Sequence, residues 1–155
     1  MTPDRRQAVD ATALKHFDFL LEKGFTLDPE PKKKDIWRSI IHTFLYRHIN
    51  WGIEVTVGYR EADYNISIVP LVHDQPREVP FGYRTKWALQ DYITRILDLR
   101  DQIVSQIKHT WVDVPSVAET YTVEFADKLF SLYAELLATH LDAIVASPHP
   151  PISRR

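Results

Sequence analysis

The chain has 155 residues, of which 45% are hydrophobic and 26% charged, a composition typical of a soluble globular domain. Its 19 Lys and Arg against 21 Asp and Glu give a formal net charge of −2, which argues against a general binder of nucleic acids or membrane surfaces. Cysteine is absent, so disulfide bonds and thiolate chemistry are excluded.

Neither a signal peptide nor a membrane span is expected from the sequence. The N-terminal segment MTPDRRQAVDATALKHF has no apolar core of signal-peptide length, and no window looks long and apolar enough to cross a membrane. We therefore expect a cytoplasmic protein with a flexible N-terminus over residues 1–8, one domain over 9–146 and a disordered tail over 147–155.

The first predicted element is a helix from Val9 to Lys23, because apolar residues recur there at helical spacing. Gly24 suits the left-handed position that ends a helix, and Phe25 is placed to fold back onto Leu20 or Leu21. The following segment TLDPEPKKKD, with two prolines and three lysines, predicts a loop.

Three strands are predicted next. Residues 36–48 fit both a helix and a strand, but β-branched and aromatic residues favour a strand over 41–48, with the turn at 36–39 left open to helix. The stretch IEVTVGYREADYNISIVPL, residues 53–71, alternates apolar and polar side chains on both arms of a hairpin turning near residues 61–63. Together these strands predict an antiparallel meander, in which Pro70 ends the third strand or lies at an edge.

Two long helices complete the predicted chain. Residues 73–84 form a surface connection, and an apolar stripe from Leu89 to Ile107 predicts a helix over 85–109. Ser116 and Glu119 form a capping-box pattern that opens a helix running to about Ala146. The predicted class is therefore α+β: an N-terminal helix, a three-stranded antiparallel meander and two long C-terminal helices.

No catalytic, cofactor or metal residue is assigned. The seven histidines lack metal-ligand spacing, and no serine lies in a nucleophile-elbow pattern. The four glycines are too scattered to form a phosphate-binding loop.

Candidate contact residues for a protein partner come from exposed aromatic and charged side chains, which are typical of interface hot spots. The polar face of the hairpin is open to three interpretations: a solvated surface, a face partly covered by a helix, or a recognition surface. The candidates around the hairpin are Trp51, Glu54, Arg60, Asp63 and Tyr64, and those in the long connection are Phe81, Tyr83 and Arg84.

The helix ending in LLEKGF, the meander containing IEVTVGYREADYNISI and the C-terminal helices together resemble small uncharacterised bacterial α+β proteins. Among these are immunity proteins of bacterial toxin systems. The resemblance implies a cytoplasmic, single-domain, non-enzymatic protein that occludes a cognate toxin, and it implies no catalytic residues.

The leading hypothesis is therefore a non-enzymatic cytoplasmic protein-binding module, in the specific form of an immunity or antitoxin-like inhibitor, with no nucleic-acid or membrane partner. One alternative is a structural subunit that forms a homodimer or larger homo-oligomer through its C-terminal helices. The other is a small-ligand binder or enzyme with a pocket between sheet and helices, lined by Tyr59, Tyr64 and Tyr92.

Overall fold

A computed structural model describes residues 2–36, 39–59 and 63–154, and it confirms the α+β class. The helices in these ranges are α1 (Pro3–Phe17), α2 (Phe19–Glu22), α3 (Leu89–Asp91), α4 (Gln102–Val112) and α5 (Val123–Ala146), with a π-helical turn at Tyr92–Ile96 and a 3₁₀ helix at Val117–Tyr121. The strands are β1 (Thr26–Leu27), β2 (Lys32–Ile36), β3 (Ser39–Arg47), β4 (Trp51–Gly58), β5 (Asp63–Val72), β6 (Gln75–Pro76) and β7 (Trp87–Ala88).

The first helix begins earlier than the sequence predicted. Thr2 caps α1 by accepting the N–H of Arg5 on its side-chain oxygen at 3.3 Å, so residues 3–8, expected to be flexible, are helical. The predicted stop is present, because Gly24 has a φ of 90° and the Phe25 N–H donates to the Leu20 carbonyl at 3.0 Å.

The predicted antiparallel meander is present as β3, β4 and β5, but it is part of a sheet of seven strands among the described residues, so the three-stranded layout was wrong. Its register places Phe44 opposite Val55, and Val55 opposite Ile66. β5 runs past Pro70 to Val72, so the first option for that proline, the end of the strand, was wrong. The edge option fits the pairing of the described residues, because Pro70 is opposite Trp51 on one side and has no strand residue opposite it on the other. The helical option for residues 36–39 was also wrong at both ends of that stretch, which lie in β2 and β3; Trp37 and Arg38 are outside the described residues.

The lysine-containing segment was predicted to be a loop, and this was wrong for part of the segment, because it contains β2. This strand pairs antiparallel with β3, with Lys33 opposite His42. Lys32, Lys33 and Lys34 are all exposed. An edge strand whose side chains reach solvent on both faces has no apolar alternation by which a sequence can reveal it.

The prediction of one helix over residues 85–109 was wrong, because the chain first forms a short strand of the sheet and the helical region after it is interrupted. Trp87, in β7, pairs with Ile68 of β5. The π-helical turn ends before Asp98, whose φ is 52°. The α-helix α4 then covers only Gln102–Val112. Only one of the two predicted C-terminal helices is therefore long.

The last helix also starts later than predicted. The true N-cap of α5 is Thr122, which accepts the Phe125 N–H on its side-chain oxygen at 3.1 Å. Ser116 makes no capping hydrogen bond from its side chain and instead precedes the 3₁₀ helix. The capping-box prediction was wrong because it placed the start of the helix six residues too early.

The main core lies between one face of the sheet and helices α1 and α5. Val55 and Ile66 are fully buried on this face, and the rings of Phe17 and Phe130 meet edge to face at 6.1 Å between α1 and α5. A smaller apolar group, Leu45, Val69 and Leu71, is buried on the other face around Gly52. A Cβ at Gly52 would lie 3.1 Å from Leu45, so the absence of a side chain permits this packing.

By length and composition α5 qualifies as a candidate membrane span, with a mean hydropathy of 1.4. This corrects the expectation that no window of the sequence is long and apolar enough to cross a membrane. Its apolar residues Leu129, Phe130, Leu136 and Leu137 are fully buried in the core shared with α1 and the sheet. A core helix of a folded domain meets the same criterion, and 39% of the 18-residue window of α5 is buried in the fold.

Residues 147–154, expected as a disordered tail, lie against the rest of the fold. The Ser147 hydroxyl is 2.9 Å from the Tyr92 hydroxyl, and His149 Nε2 donates to the Asn50 carbonyl at 2.7 Å. Pro150 is buried, and its carbonyl accepts from Arg77 at 2.6 Å. The tail is therefore anchored at several points along its length.

Candidate functional site

Two of the predicted contact residues, Trp51 and Tyr64, are core residues. Trp51 is only 1% exposed and its ring meets those of Tyr92 and His149 edge to face, at 5.8 and 4.9 Å. Tyr64 is 2% exposed and its hydroxyl donates to the Thr120 carbonyl at 3.1 Å. Both side chains lie on the sheet face that the helices cover, so they are not available at the surface.

The polar residues of the hairpin are only partly free. The Glu54 carboxylate forms an ion pair with the Lys86 ammonium group at 2.9 Å, and Ser67 on the same face is buried. Asp63 is exposed at the start of β5, while Arg60 lies outside the described residues. The helices cover the opposite face, so the polar face is not under α1 or α5.

In the long connection, Phe81 is fully exposed but its neighbours hold the C-terminal segment. Tyr83 pairs with Arg154 in a β-bridge, and the Arg84 N–H donates to the Ser153 carbonyl at 2.8 Å. Asp63 and Pro70 lie about 23 Å apart along β5, at a rise of about 3.3 Å for each strand residue. Lys86, two residues after Arg84, forms the ion pair with Glu54, so the chain that follows the connection reaches the polar face of the hairpin.

The structure also forms a groove of about 540 Å³ between α4, α5 and the segment that joins them. Its lining comes from residues that the sequence did not indicate as contact candidates: Gln106, His109, Thr110, Asp113, Val114, Pro115, Glu119, Thr122, Glu124, Phe125, Lys128 and Leu132. This volume lies within the range of about 300–1,000 Å³ common for binding pockets.

The two walls of the groove differ in chemistry. Gln106, His109, Thr110 and Asp113 occur at the spacing of one helical face, and they make the α4 wall polar. The α5 wall carries Phe125 and Leu132 with Lys128 between them, and Val114 and Pro115 add apolar surface from the connecting segment. The groove is therefore amphipathic across its width.

The groove is also acidic and bordered by exposed apolar side chains. Asp113, Glu119 and Glu124 contribute three carboxylates to the lining, against the single ammonium group of Lys128. Val112 and Val117, in the chain segments that enter and leave the groove, are 67% and 72% exposed. Exposed apolar residues beside a concave, partly apolar surface are typical of an interaction site.

A second polar cluster ties α1 to the sheet. The Tyr59 hydroxyl donates to one Asp10 carboxylate oxygen and lies 2.6 Å from His42 Nδ1, which is itself 3.0 Å from the other oxygen of Asp10. Burial and the hydrogen bond to Asp10 raise the pKa of Tyr59, so its hydroxyl stays protonated and donates. The guanidinium of Arg6 lies over the Tyr59 ring at 5.9 Å. These contacts are of the kind that stabilise the packing of α1 against the sheet.

The tyrosines predicted to line a pocket between sheet and helices do not line the groove. Tyr59, Tyr64 and Tyr92 are each buried, and they bond separately to Asp10, Thr120 and Ser147. Within residues 2–36, 39–59 and 63–154, no group of three or more His, Asp or Glu is placed to hold a metal ion.

Sequence reasoning missed the groove because each wall has an ordinary pattern in isolation. The polar face of α4 has the composition of a solvent-facing helix surface, and Phe125 and Leu132 belong to the predicted core stripe of α5. Only the packing of one helix beside the other brings them together. Comparison with protein-family models, curated proteins and solved structures gives no match to this chain.

Proposed function

We propose that this chain is a protein-binding module whose contact surface is the groove between α4 and α5. The observation that carries the proposal is the concave, amphipathic lining flanked by exposed Val112 and Val117. Buried apolar anchors within a polar rim are the usual arrangement of protein interfaces. A non-enzymatic, cytoplasmic inhibitor of the immunity or antitoxin kind is the specific form that we propose, and the sequence resemblance supports that form.

Self-association through the C-terminal helices is the second candidate, and the packing limits where it can occur. Ile103 and Ile107 of α4 are buried, as are Leu129 and Leu136 of α5, so these stripes are occupied by the chain's own core. A second copy would have to use the groove instead. Light scattering over a range of micromolar concentrations distinguishes the two, because a protein-binding module of this kind is expected to have a monomeric mass.

The test compares two exposed apolar residues in binding to a partner purified from the native host. We expect Val117→Asn to weaken the affinity at least about tenfold in calorimetry, since it replaces an apolar side chain at the edge of the groove with a neutral polar one. Phe81→Asn is the matched control, because Phe81 is also exposed but lies in the connection after β6. Unchanged affinity for Val117→Asn, or a loss seen only with Phe81→Asn, would overturn the groove as the contact surface.

A further inference from the structure

We infer that the groove accepts a cationic amphipathic helix from its partner protein. This inference rests on the proposed function and names the chemistry of the partner segment.

The shape of the groove fits a helical segment. On α4 the wall runs from Gln106 to Asp113 and on α5 from Phe125 to Leu132. Each wall therefore spans about 10 Å, or two helical turns, at a rise of about 1.5 Å per residue. A third helix lying between two helices exposes side chains to both walls at once, which is the helix-in-groove mode of peptide recognition.

The apolar side of the occupant is defined by the α5 wall. Phe125 and Leu132 lie one above the other on that helix, and Val114 and Pro115 extend the apolar surface at the end where the chain turns. Side chains such as Leu or Ile, spaced three and four residues apart on a partner helix, would cover this surface. The exposed Val117 lies at the same end.

The polar side of the occupant is defined by charge. The lining has three carboxylates against one ammonium group. Asp113, 3.9 Å from His109 Nδ1, lies at the C-terminal end of α4, where the helix dipole favours positive charge, whereas Glu124 lies in the first turn of α5, where the dipole favours its negative charge. Lys128 is the one lysine or arginine in the lining, on the opposite wall. Lys or Arg side chains on the polar face of the partner helix therefore complement the groove, whereas acidic ones are repelled.

The experiment measures binding of fluorescent amphipathic peptides of about four helical turns by anisotropy. One peptide carries Lys on its polar face and Leu on its apolar face, and the matched peptide carries Glu in place of every Lys. We expect the Lys peptide to bind at least about tenfold more tightly than the Glu peptide, with affinity falling as salt is added.

Charge reversal in the groove supplies the residue-level test. The double variant Asp113→Lys and Glu119→Lys should weaken the Lys peptide at least about tenfold and strengthen the Glu peptide. Asp113 is exposed at a helix C-terminus, where Lys is well tolerated, so the fold is not put at risk. The control is Glu135→Lys with Asp142→Lys, which makes the same change in net charge at exposed sites of α5 outside the groove lining.

Three results would overturn the inference: no binding of the Lys peptide, equal binding of both peptides, or an equal loss in the control double variant. Failure of the inference is distinguishable from failure of the proposed function. If Val117→Asn releases the native partner while the Asp113 and Glu119 reversals do not, the groove remains the contact surface and only the cationic class is wrong. If neither change releases the partner, both are wrong.

Discussion

The hydroxyl of Tyr59 joins three side chains that are far apart in the sequence. Asp10, on α1, is 49 residues away, and His42, on β3, is 17 residues away. Each has an ordinary appearance in the sequence, because a single Asp on a helix and a single His on a strand are usually solvent-facing. Their contact depends on how α1 crosses the sheet, which the sequence pattern does not specify.

Replacing this hydroxyl tests whether the cluster stabilises the fold. We expect Tyr59→Phe to lower the free energy of unfolding by about 1–2 kcal/mol, because it removes the donor to one oxygen of the half-buried Asp10 carboxylate and leaves only the contact with His42. Urea denaturation measures the change. Asp10→Asn alone and the double variant complete the cycle, and strictly additive effects would contradict a direct coupling.

At the scale of elements, the meander was predictable from the sequence, whereas the strand before it and the helical region after it were not. β4 and β5 are central strands with one face on the helices, so apolar and polar residues alternate with a period of two over residues 53–57 and 64–68. β2 is an edge strand and gives no such alternation. The apolar spacing over residues 85–109 fitted a single helix, yet Trp87 lies in a strand of the sheet and Asp98 adopts a left-handed conformation.

The start of α4 is fixed by Asp101. One carboxylate oxygen of Asp101 accepts the Ile103 N–H at 2.9 Å and the other lies 2.8 Å from His140 Nε2 on α5. The hydrogen bond from Ile103, together with that from His140, lowers the pKa of Asp101 below its ordinary value of 3.8. This side chain therefore both caps α4 and holds the start of α4 on α5.

A pH series with two variants separates these roles. A lowered native pKa means that the stabilisation from Asp101 is present above pH 3.8 and is lost as the pH falls through the lower native value. We expect Asp101→Asn to keep the cap but flatten that acid dependence, and Asp101→Ala to cost about 1 kcal/mol more at neutral pH.

Urea midpoints at neutral and acidic pH measure both effects. Asp142→Asn, an exposed carboxylate of α5, is the matched control. Equal stability of Asp101→Asn and Asp101→Ala would contradict the capping role.

At the scale of the whole molecule, the C-terminal segment completes the end of the sheet. It covers Trp51 through His149, binds Arg77 through Pro150 and reaches Arg84 through Ser153. The sequence SPHPPISRR has the composition of a disordered tail, and its order depends on partners that lie some 70 to 100 residues away. Composition alone could not have predicted it.

Truncation after Ser147 tests this anchoring while leaving the end of α5 intact. We expect the truncated chain to lose about 2–4 kcal/mol of its free energy of unfolding, since several hydrogen bonds and a ring contact disappear. Trp51 should become accessible, which iodide quenching and a red shift of its fluorescence would detect. The variant His149→Ala should reproduce part of the quenching, and an unchanged spectrum in both would contradict the anchoring.

The packing of α1 against α5 has a consequence for synthesis on the ribosome. His16 on α1 bonds to Asp127 on α5 across 111 residues, so α1 cannot complete its packing until α5 has been synthesised. The hairpins of β3, β4 and β5 depend on contacts much closer in the sequence, which form faster. We expect a ribosome stalled before α5 to expose part of the apolar face of the sheet, a surface that promotes aggregation unless it is shielded.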